Sequence, residues 1–198
     1  MIADICKSFG VECYDVLTGF KWIGEVVREN EGKKEFICGG EESYGFNVGE
    51  YVRDKDAPIA CSMVAECAAW AADQGLSLYQ LLQKIYSEYG YRKESMVYLV
   101  RKGKSGAEEI AALMEEMRAN PPKALGETPV TKVVDYNEPE KTGLPKSNVL
   151  QYFDEAGDVV TVRPSGTEPK IKFYFGATAA DEAAVETKLE AFKNQFIK

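Results

Sequence analysis

The sequence predicts an α/β fold up to about residue 90, followed by an α+β fold from about residue 91. Short apolar runs that end in glycine loops alternate with helical patterns in the first half, as in α/β domains. The second half reads as strand, helix, four strands, helix, typical of a mostly antiparallel sheet with helices on one face. Because a polar, glycine-containing stretch at 90–93 separates the halves, we expect domains at 1–90 and 91–198.

The first half opens on a helical pattern that Gly10 ends. Alternating and β-branched residues then predict strands over Val11–Leu17 and Lys34–Cys38, with a short helix between them. Asp56 is a good N-cap, so a helix is expected over 57–73. Its expected buried stripe is Ile59, Met63, Cys67 and Trp70.

A capping-box pattern at Ser77–Gln80 predicts the next helix, which Gly90 ends. A second capping box at Ser105–Glu108 predicts the helix of the second half. The expected strands there are 95–100, 130–136, 148–154, 158–163 and 171–175, with a polar loop over 137–146. Asp181 begins a closing helix with an inner face of Val185, Leu189, Phe192 and Phe196.

Composition excludes several classes of function. The formal net charge of −8 argues against nucleic-acid or anionic-membrane partners, and no apolar run is long enough to span a membrane. The chain has no histidine, which excludes Ser-His-Asp triads and histidine metal ligands. The 5 cysteines include no C-x-x-C pair, so we expect small buried thiols in a cytoplasmic protein without a leader peptide.

The segment Arg163–Lys170, R-P-S-G-T-E-P-K, lies between two predicted strands and is called the Arg163 loop below. Arg163 offers a planar fork of donors, and Ser165 and Thr167 offer hydroxyls. Gly166 lets backbone N–H groups approach an anion. These groups suit a phosphate dianion, although an ordinary hairpin turn uses many of the same residue types.

A second candidate site lies in the first half, in the segment Gly40–Gly45, called the Glu41 loop below. If this segment is extended, Glu41 and Ser43 share a face and suit the hydroxyls of a sugar. Lys21 follows a predicted strand, where open α/β sheets bind ligands. A solvated polar turn and a solvated lysine remain the alternatives at these positions.

Three segments resemble one family. The Arg163 loop resembles the phosphate-binding loop in the last domain of the α-D-phosphohexomutases, the phosphoglucomutase and phosphomannomutase family. The Glu41 loop, G-E-E-S-Y-G, resembles the sugar-binding loop of their third domain, and Leu17–Gly24 resembles another segment of that domain. The order matches, so the resemblance implies an incomplete third domain followed by the fourth, within a longer enzyme that also has N-terminal domains.

The resemblance implies roles for individual residues. Glu41 and Ser43 would bind sugar hydroxyls, with Lys21 near the bound sugar phosphate. The substrate phosphate would be bound by Arg163, Ser165, Gly166 and Thr167. The partner would be a hexose or pentose phosphate, of the glucose 1-phosphate and glucose 6-phosphate type.

The resemblance also implies what this chain lacks. The family's phosphoserine and Mg²⁺ loops belong to its first two domains, and neither loop occurs here. We therefore expect no catalytic residue, no metal site and no mutase activity in this chain alone, with Mg²⁺ in the full-length enzyme. A free-standing, non-catalytic module that binds sugar phosphates or other anions is the alternative, and a purely structural domain is a third possibility.

Overall fold

The computed structural model describes residues 1–101 and 103–197, which form two compact units. One unit covers residues 2–85 and the other begins at Tyr86. No helix in the described part of the chain is long and apolar enough to cross a membrane. The two units are described separately below, as the N-terminal and the C-terminal unit.

Helices dominate the N-terminal unit, and its sheet has two strands. The strands form an antiparallel hairpin in which Gly40 pairs with Phe46. In chain order the elements are α1 (Ile2–Ser8), α2 (Phe20–Glu29), β1 (Cys38–Gly40), β2 (Phe46–Val48), α3 (Ala57–Asp73) and α4 (Leu78–Tyr89).

The strand predicted over Val11–Leu17 is absent, and the one predicted over Lys34–Cys38 is reduced to β1. Side chains nevertheless link the two segments, because Lys34 Nζ lies 2.5 Å from Glu12 Oε2 and 2.7 Å from the Tyr14 hydroxyl. A strand requires a neighbour that satisfies its N–H and C=O groups. Among the described residues, only Cys38 of the two predicted segments has a ladder partner, so apolar alternation alone does not produce a strand.

The two long helices begin as predicted. Asp56 accepts a hydrogen bond from the Ile59 N–H at 3.1 Å and caps α3. Ser77 and Gln80 exchange the two bonds of a capping box before α4. The buried stripe predicted for α3 is wrong, since Met63 is 36% exposed and Trp70 is 52% exposed. Helix spacing marks the apolar face of α3, but too few partners in this unit cover that face.

The C-terminal unit is built on an antiparallel sheet with the strand order β3-β8-β7-β6-β5-β4. The strands are β3 (Tyr91–Val100), β4 (Ala124–Leu125), β5 (Thr128–Asp135), β6 (Leu150–Asp154), β7 (Val159–Pro164) and β8 (Lys170–Ala179). The helices are α5 (Gly103–Ala119), α6 (Pro139–Thr142) and α7 (Glu182–Phe196). The antiparallel sheet with helices on one face confirms the predicted fold class.

One continuous core joins the inner face of this sheet to α5 and α7. Burial alternates strictly along β8, so Ile171, Phe173 and Phe175 face the helices and their neighbours face away. The predicted inner face of α7 is confirmed by the burial of Val185 and Leu189. Sheet residues with the opposite parity therefore form the outer face, where Arg163 lies.

Several element boundaries differ from the predictions. Strands β3 and β8 are longer than expected, because they pair over ten positions and support each other. Helix α5 begins at Gly103 rather than at the predicted capping box. The short elements β4 and α6 were not predicted, since two to four residues carry no detectable periodicity.

Candidate functional site

The Arg163 loop is a tight connection between β7 and β8. The Ser165 N–H donates to the Lys170 carbonyl at 2.8 Å, which closes the loop at its base. Ser165 Oγ accepts the Glu168 N–H at 3.2 Å, and the Arg101 N–H holds the Pro169 carbonyl at 2.9 Å. Because Ser165 Oγ is an acceptor in these contacts, its own proton remains available to an anion.

Strand register determines which side chains of the sheet lie beside the Arg163 loop. Arg163 pairs with Lys172, and Lys172 pairs with Tyr98 on the other side, so the three side chains form one row. Val162 and Ile171 are buried, which places Arg163, Lys170 and Lys172 on the outer face. Lys172 was missed by sequence reasoning, although the two-residue period of β8 would have indicated it.

The Lys170 ammonium already contacts a carboxylate and an aromatic ring. Lys170 Nζ lies 2.7 Å from Glu168 Oε2 and 5.3 Å from the centre of the Tyr98 ring. The bond to Lys170 holds the pKa of Glu168 below its ordinary value, so this carboxylate is ionised at neutral pH. Gly166 and Thr167 are exposed at the tip of the loop. Donors from the loop and from the outer face are thus gathered at one accessible place.

The Glu41 loop is a hairpin turn rather than the extended segment that we expected. The Glu41 N–H donates to the Gly45 carbonyl at 2.8 Å, and the Tyr44 N–H donates to the Glu41 carbonyl at 3.2 Å. Tyr44 has a φ of 69°, in the left-handed region. The alternation argument therefore fails here. Glu41 is nevertheless half-buried, Ser43 is exposed, and turn geometry now sets their directions.

A lysine that the sequence did not single out lies beside this loop. A methyl group added to Gly45 would collide with Glu41 Oε2 and would meet Lys55 Cδ at 2.9 Å. Both side chains therefore lie over the bare glycine backbone. Lys55 Nζ also lies 5.2 Å from the centre of the Phe20 ring, at the start of α2. The Lys55 ammonium is paired with Asp54 Oδ1 at 3.0 Å, so it is the methylene stem of Lys55 that lies beside Glu41.

Lys21 lies in the first turn of α2, not at the end of a strand as predicted. Its ammonium is 4.5 Å from the centre of the Trp22 ring, and its side chain is exposed. Phe20, the residue before Lys21, contacts Lys55. Among the described residues, Lys21 forms no hydrogen bond or ion pair with Glu41 or Ser43.

No group of three or more acidic or thiol side chains among residues 1–101 and 103–197 is arranged to hold a metal ion. Four of the five cysteines are exposed, so the expectation of buried thiols is wrong. A surface groove of about 540 Å³ in the C-terminal unit lies away from the Arg163 loop. Its cation, Arg118, already contacts Asp135 at 2.7 Å and Glu115 at 2.7 Å, so the groove offers no unpaired charge to an anion.

Comparison with known families accounts for both units. Residues 1–89 match the family model "Phosphoglucomutase/phosphomannomutase, alpha/beta/alpha domain III". Residues 96–193 match "Phosphoglucomutase/phosphomannomutase, C-terminal domain". The chain belongs to the phosphoglucomutase/phosphomannomutase family. The two matches follow each other in the order that the resemblance of the three segments implied.

Relatives within the phosphoglucomutase/phosphomannomutase family are longer than this chain. A phosphoglucomutase of Staphylococcus haemolyticus is 34% identical over 180 residues, which are 86% of this chain and 33% of the relative. One of Staphylococcus aureus strain bovine RF122 is 34% identical over 94% of this chain and 36% of its own length. The chain thus spans about a third of the length of these relatives.

A solved structure shows the same fold. It is the open form of the exocytosis-sensitive phosphoprotein pp63/parafusin, a phosphoglucomutase from Paramecium. The TM-score is 0.72, with 16% identity, over 98% of this chain and 35% of the other.

Proposed function

We propose that this chain supplies the sugar-phosphate-binding part of a phosphoglucomutase-type isomerase. In that reaction a phosphoryl group moves between two positions of one sugar, of the glucose 1-phosphate and glucose 6-phosphate type. The phosphoserine and Mg²⁺ belong to other domains of the longer enzyme in this proposal. This chain alone is then inactive as a mutase.

The arrangement around the Arg163 loop is the observation that carries the proposal. Arg163 and Lys172 are cross-strand neighbours on the outer face of the sheet, and the Ser165 hydroxyl can donate beside them. Charge-assisted hydrogen bonds from arginine to a phosphate are stronger than neutral ones. In an acidic chain with a net charge of −8, such a local excess of donors favours an anion at this place.

The Glu41 loop, in the N-terminal unit, is the proposed binding place for the sugar hydroxyls. A carboxylate such as that of Glu41 can accept hydrogen bonds from two sugar hydroxyls. Ser43 adds a hydroxyl at the exposed tip of the turn. Contacts to the sugar hydroxyls would orient a sugar phosphate for phosphoryl transfer.

The test is a binding measurement with glucose 1-phosphate and, separately, inorganic phosphate. We expect weak binding, with a dissociation constant of about 1 mM, or about −4 kcal/mol, because part of the cleft belongs to other domains. Arg163→Ala should weaken both ligands by at least about tenfold, since one charge-assisted bond contributes about 1.5–3 kcal/mol. Shifts of the Gly166 amide resonance report binding at this site.

Lys146→Ala is the matched control, because Lys146 is an exposed cation of the same unit on a different loop. It removes the same charge and should leave both affinities unchanged. Equal losses in Arg163→Ala and Lys146→Ala would contradict a specific anion site. Turnover of glucose 1-phosphate by the isolated chain would contradict the assignment of the phosphoserine to another domain.

A further inference from the structure

Strand β3 carries a row of exposed apolar side chains on the outer face of the C-terminal sheet. Met96, Tyr98 and Val100 are 47%, 54% and 48% exposed, and they are called the Tyr98 strip below. Val97 and Leu99, which alternate with them, pack against the core that α5 and α7 complete. The Tyr98 strip therefore lies on the face of the sheet opposite to these helices.

Backbone pairing fixes Tyr98 beside the Arg163 loop. Tyr98 pairs with Lys172, and Lys172 pairs with Arg163. Two strand spacings, or about 9–10 Å, therefore separate the backbones of Tyr98 and Arg163. The Arg101 N–H holds the Pro169 carbonyl at 2.9 Å, which ties the end of β3 to the loop itself. The sheet thus keeps the Tyr98 ring at a set distance from the proposed phosphate donors.

Lys170 restrains the Tyr98 ring without covering it. Its ammonium lies 5.3 Å from the centre of the ring and 2.7 Å from Glu168 Oε2. A cation near an aromatic face is attracted to the electron-rich centre of the ring, so this contact favours one orientation of Tyr98. Because the side chain is still 54% exposed, ring surface remains available to a ligand.

A sugar phosphate has two parts that match this arrangement. Its phosphate dianion suits the donors of Arg163, Lys172 and Ser165. Its pyranose ring presents C–H groups, which are apolar and carry a small positive charge, and these suit the electron-rich face of a tyrosine. The phosphate and the pyranose ring together span a length close to two strand spacings. One ligand can therefore reach both the loop and Tyr98.

We propose that Tyr98 is the stacking surface for the pyranose ring of a sugar phosphate whose phosphate group is bound by the Arg163 loop. The inference rests on the proposed function and adds a residue that distinguishes a cyclic sugar from other phosphates. Inorganic phosphate and glycerol 3-phosphate carry the same dianion without a ring, so Tyr98 contributes to the binding of neither. Met96 and Val100 border the stacked ring on the same strand.

The test measures the binding of glucose 1-phosphate, glycerol 3-phosphate and inorganic phosphate to variants of the chain. Tyr98→Leu should weaken glucose 1-phosphate by about fivefold, a factor typical of aromatic stacking, and should leave the other two ligands unchanged. Tyr98→Phe keeps the ring and should bind all three like the unaltered chain. Tyr79→Leu, which removes a tyrosine of α4 that is 66% exposed, is the matched control and should change nothing.

The resonances of the ligand report stacking directly. The C–H protons of glucose 1-phosphate should shift upfield on binding to the unaltered chain and to Tyr98→Phe, because a proton above an aromatic ring is shielded. Tyr98→Leu should abolish this upfield shift. A role of Tyr98 in folding alone would not produce a shift that depends on the aromatic ring.

The possible failures can be told apart. If Arg163→Ala weakens inorganic phosphate but Tyr98→Leu binds glucose 1-phosphate like the unaltered chain, stacking is excluded and the proposed function stands. Equal losses of all three ligands in Tyr98→Leu would show that Tyr98 acts through Lys170 and the loop, which also contradicts stacking. If Arg163→Ala leaves inorganic phosphate unchanged, the proposed function and the inference fail together.

Discussion

The C-terminal unit encloses a continuous core, whereas the N-terminal unit buries very little. Within residues 2–85, all of which the structure describes, the buried apolar side chains are Phe20, Val27 and Ala71. The C-terminal unit instead buries large aromatic residues such as Tyr152 and Phe173 between its sheet and two helices. Both units contain a comparable share of apolar sequence, so composition does not explain the difference.

Strand pairing explains why the C-terminal unit buries more apolar side chains than the N-terminal unit. Each of the strands β5 to β8 finds an antiparallel partner next to it in the chain, so the sheet is completed locally. In the segments predicted as strands at 11–17 and 34–38, only Cys38 has a ladder partner among the described residues. Helices α3 and α4 accordingly expose large apolar side chains such as Trp70 and Tyr79. The comparison teaches that an apolar pattern stabilises a unit only when the layer it should pack against is present.

The largest expected effect tests this difference in packing directly. Phe173→Ala should cost about 3–5 kcal/mol of unfolding free energy, because it leaves a cavity beside Phe175 and Phe196. Met63→Ala on α3 should cost about 1 kcal/mol or less, since Met63 is partly exposed. Hydrogen exchange read separately for β7–β8 and for α3 measures both. Equal losses of unfolding free energy in the two variants would contradict the difference in packing between the units.

A smaller effect tests whether the Glu41 loop of the N-terminal unit binds the sugar hydroxyls of glucose 1-phosphate. Glu41→Gln should weaken glucose 1-phosphate by about tenfold, or about 1.4 kcal/mol, because an amide is a weaker acceptor than a carboxylate. Binding of inorganic phosphate should not change. Glu42→Gln removes the adjacent exposed charge and is the control. If both variants bind glucose 1-phosphate like the unaltered chain, the Glu41 loop contributes nothing to the site.

The smallest expected effect concerns a buried carboxylate, Asp154, in the C-terminal unit. Asp154 is buried, and burial raises its pKa above the ordinary value of about 3.9. Among the described residues, its Oδ2 finds no hydrogen-bond donor. A raised pKa means that its stabilising contribution is fully present below the unfolded-state pKa and is lost as pH rises through the folded-state value.

Asp154→Asn removes this titration. The stability difference between variant and unaltered chain should therefore move in favour of the variant as pH rises from 4 toward 7. Urea unfolding of the C-terminal unit at several pH values measures the difference. Glu155→Gln, at an exposed neighbour in the same turn, should show no such trend. A constant difference across this range would exclude an ionisation penalty at Asp154.

Sequence reasoning succeeded where the signal is local. The caps at Asp56, Ser77 and Asp181 are confirmed, because a cap depends on three or four adjacent residues. The fold class of the second half was also predictable, since sequential strands pair with their chain neighbours. The missing strand at 11–17 was not predictable, because a strand depends on a distant partner that periodicity does not reveal.

The candidate sites follow the same rule. The Arg163 loop was predicted as a strand–loop–strand unit, and its backbone bonds have that geometry. Lys172 was missed because only strand register shows that it adjoins Arg163. The extended conformation expected for Glu41–Ser43 was wrong, because a left-handed Tyr44 has no reliable signal in the sequence. The roles of these residues in binding remain a prediction.

The central claim is that the Arg163 loop binds the phosphate group of a sugar phosphate, and a titration followed by amide resonances tests it most directly. Glucose 1-phosphate and inorganic phosphate should both shift the Gly166 resonance along saturating curves, and Arg163→Ala should weaken both responses. Glucose 1-phosphate should also shift the Ser43 resonance, whereas inorganic phosphate should leave Ser43 unchanged. A Gly166 resonance that responds to neither ligand, or that responds equally in Arg163→Ala, would contradict the claim.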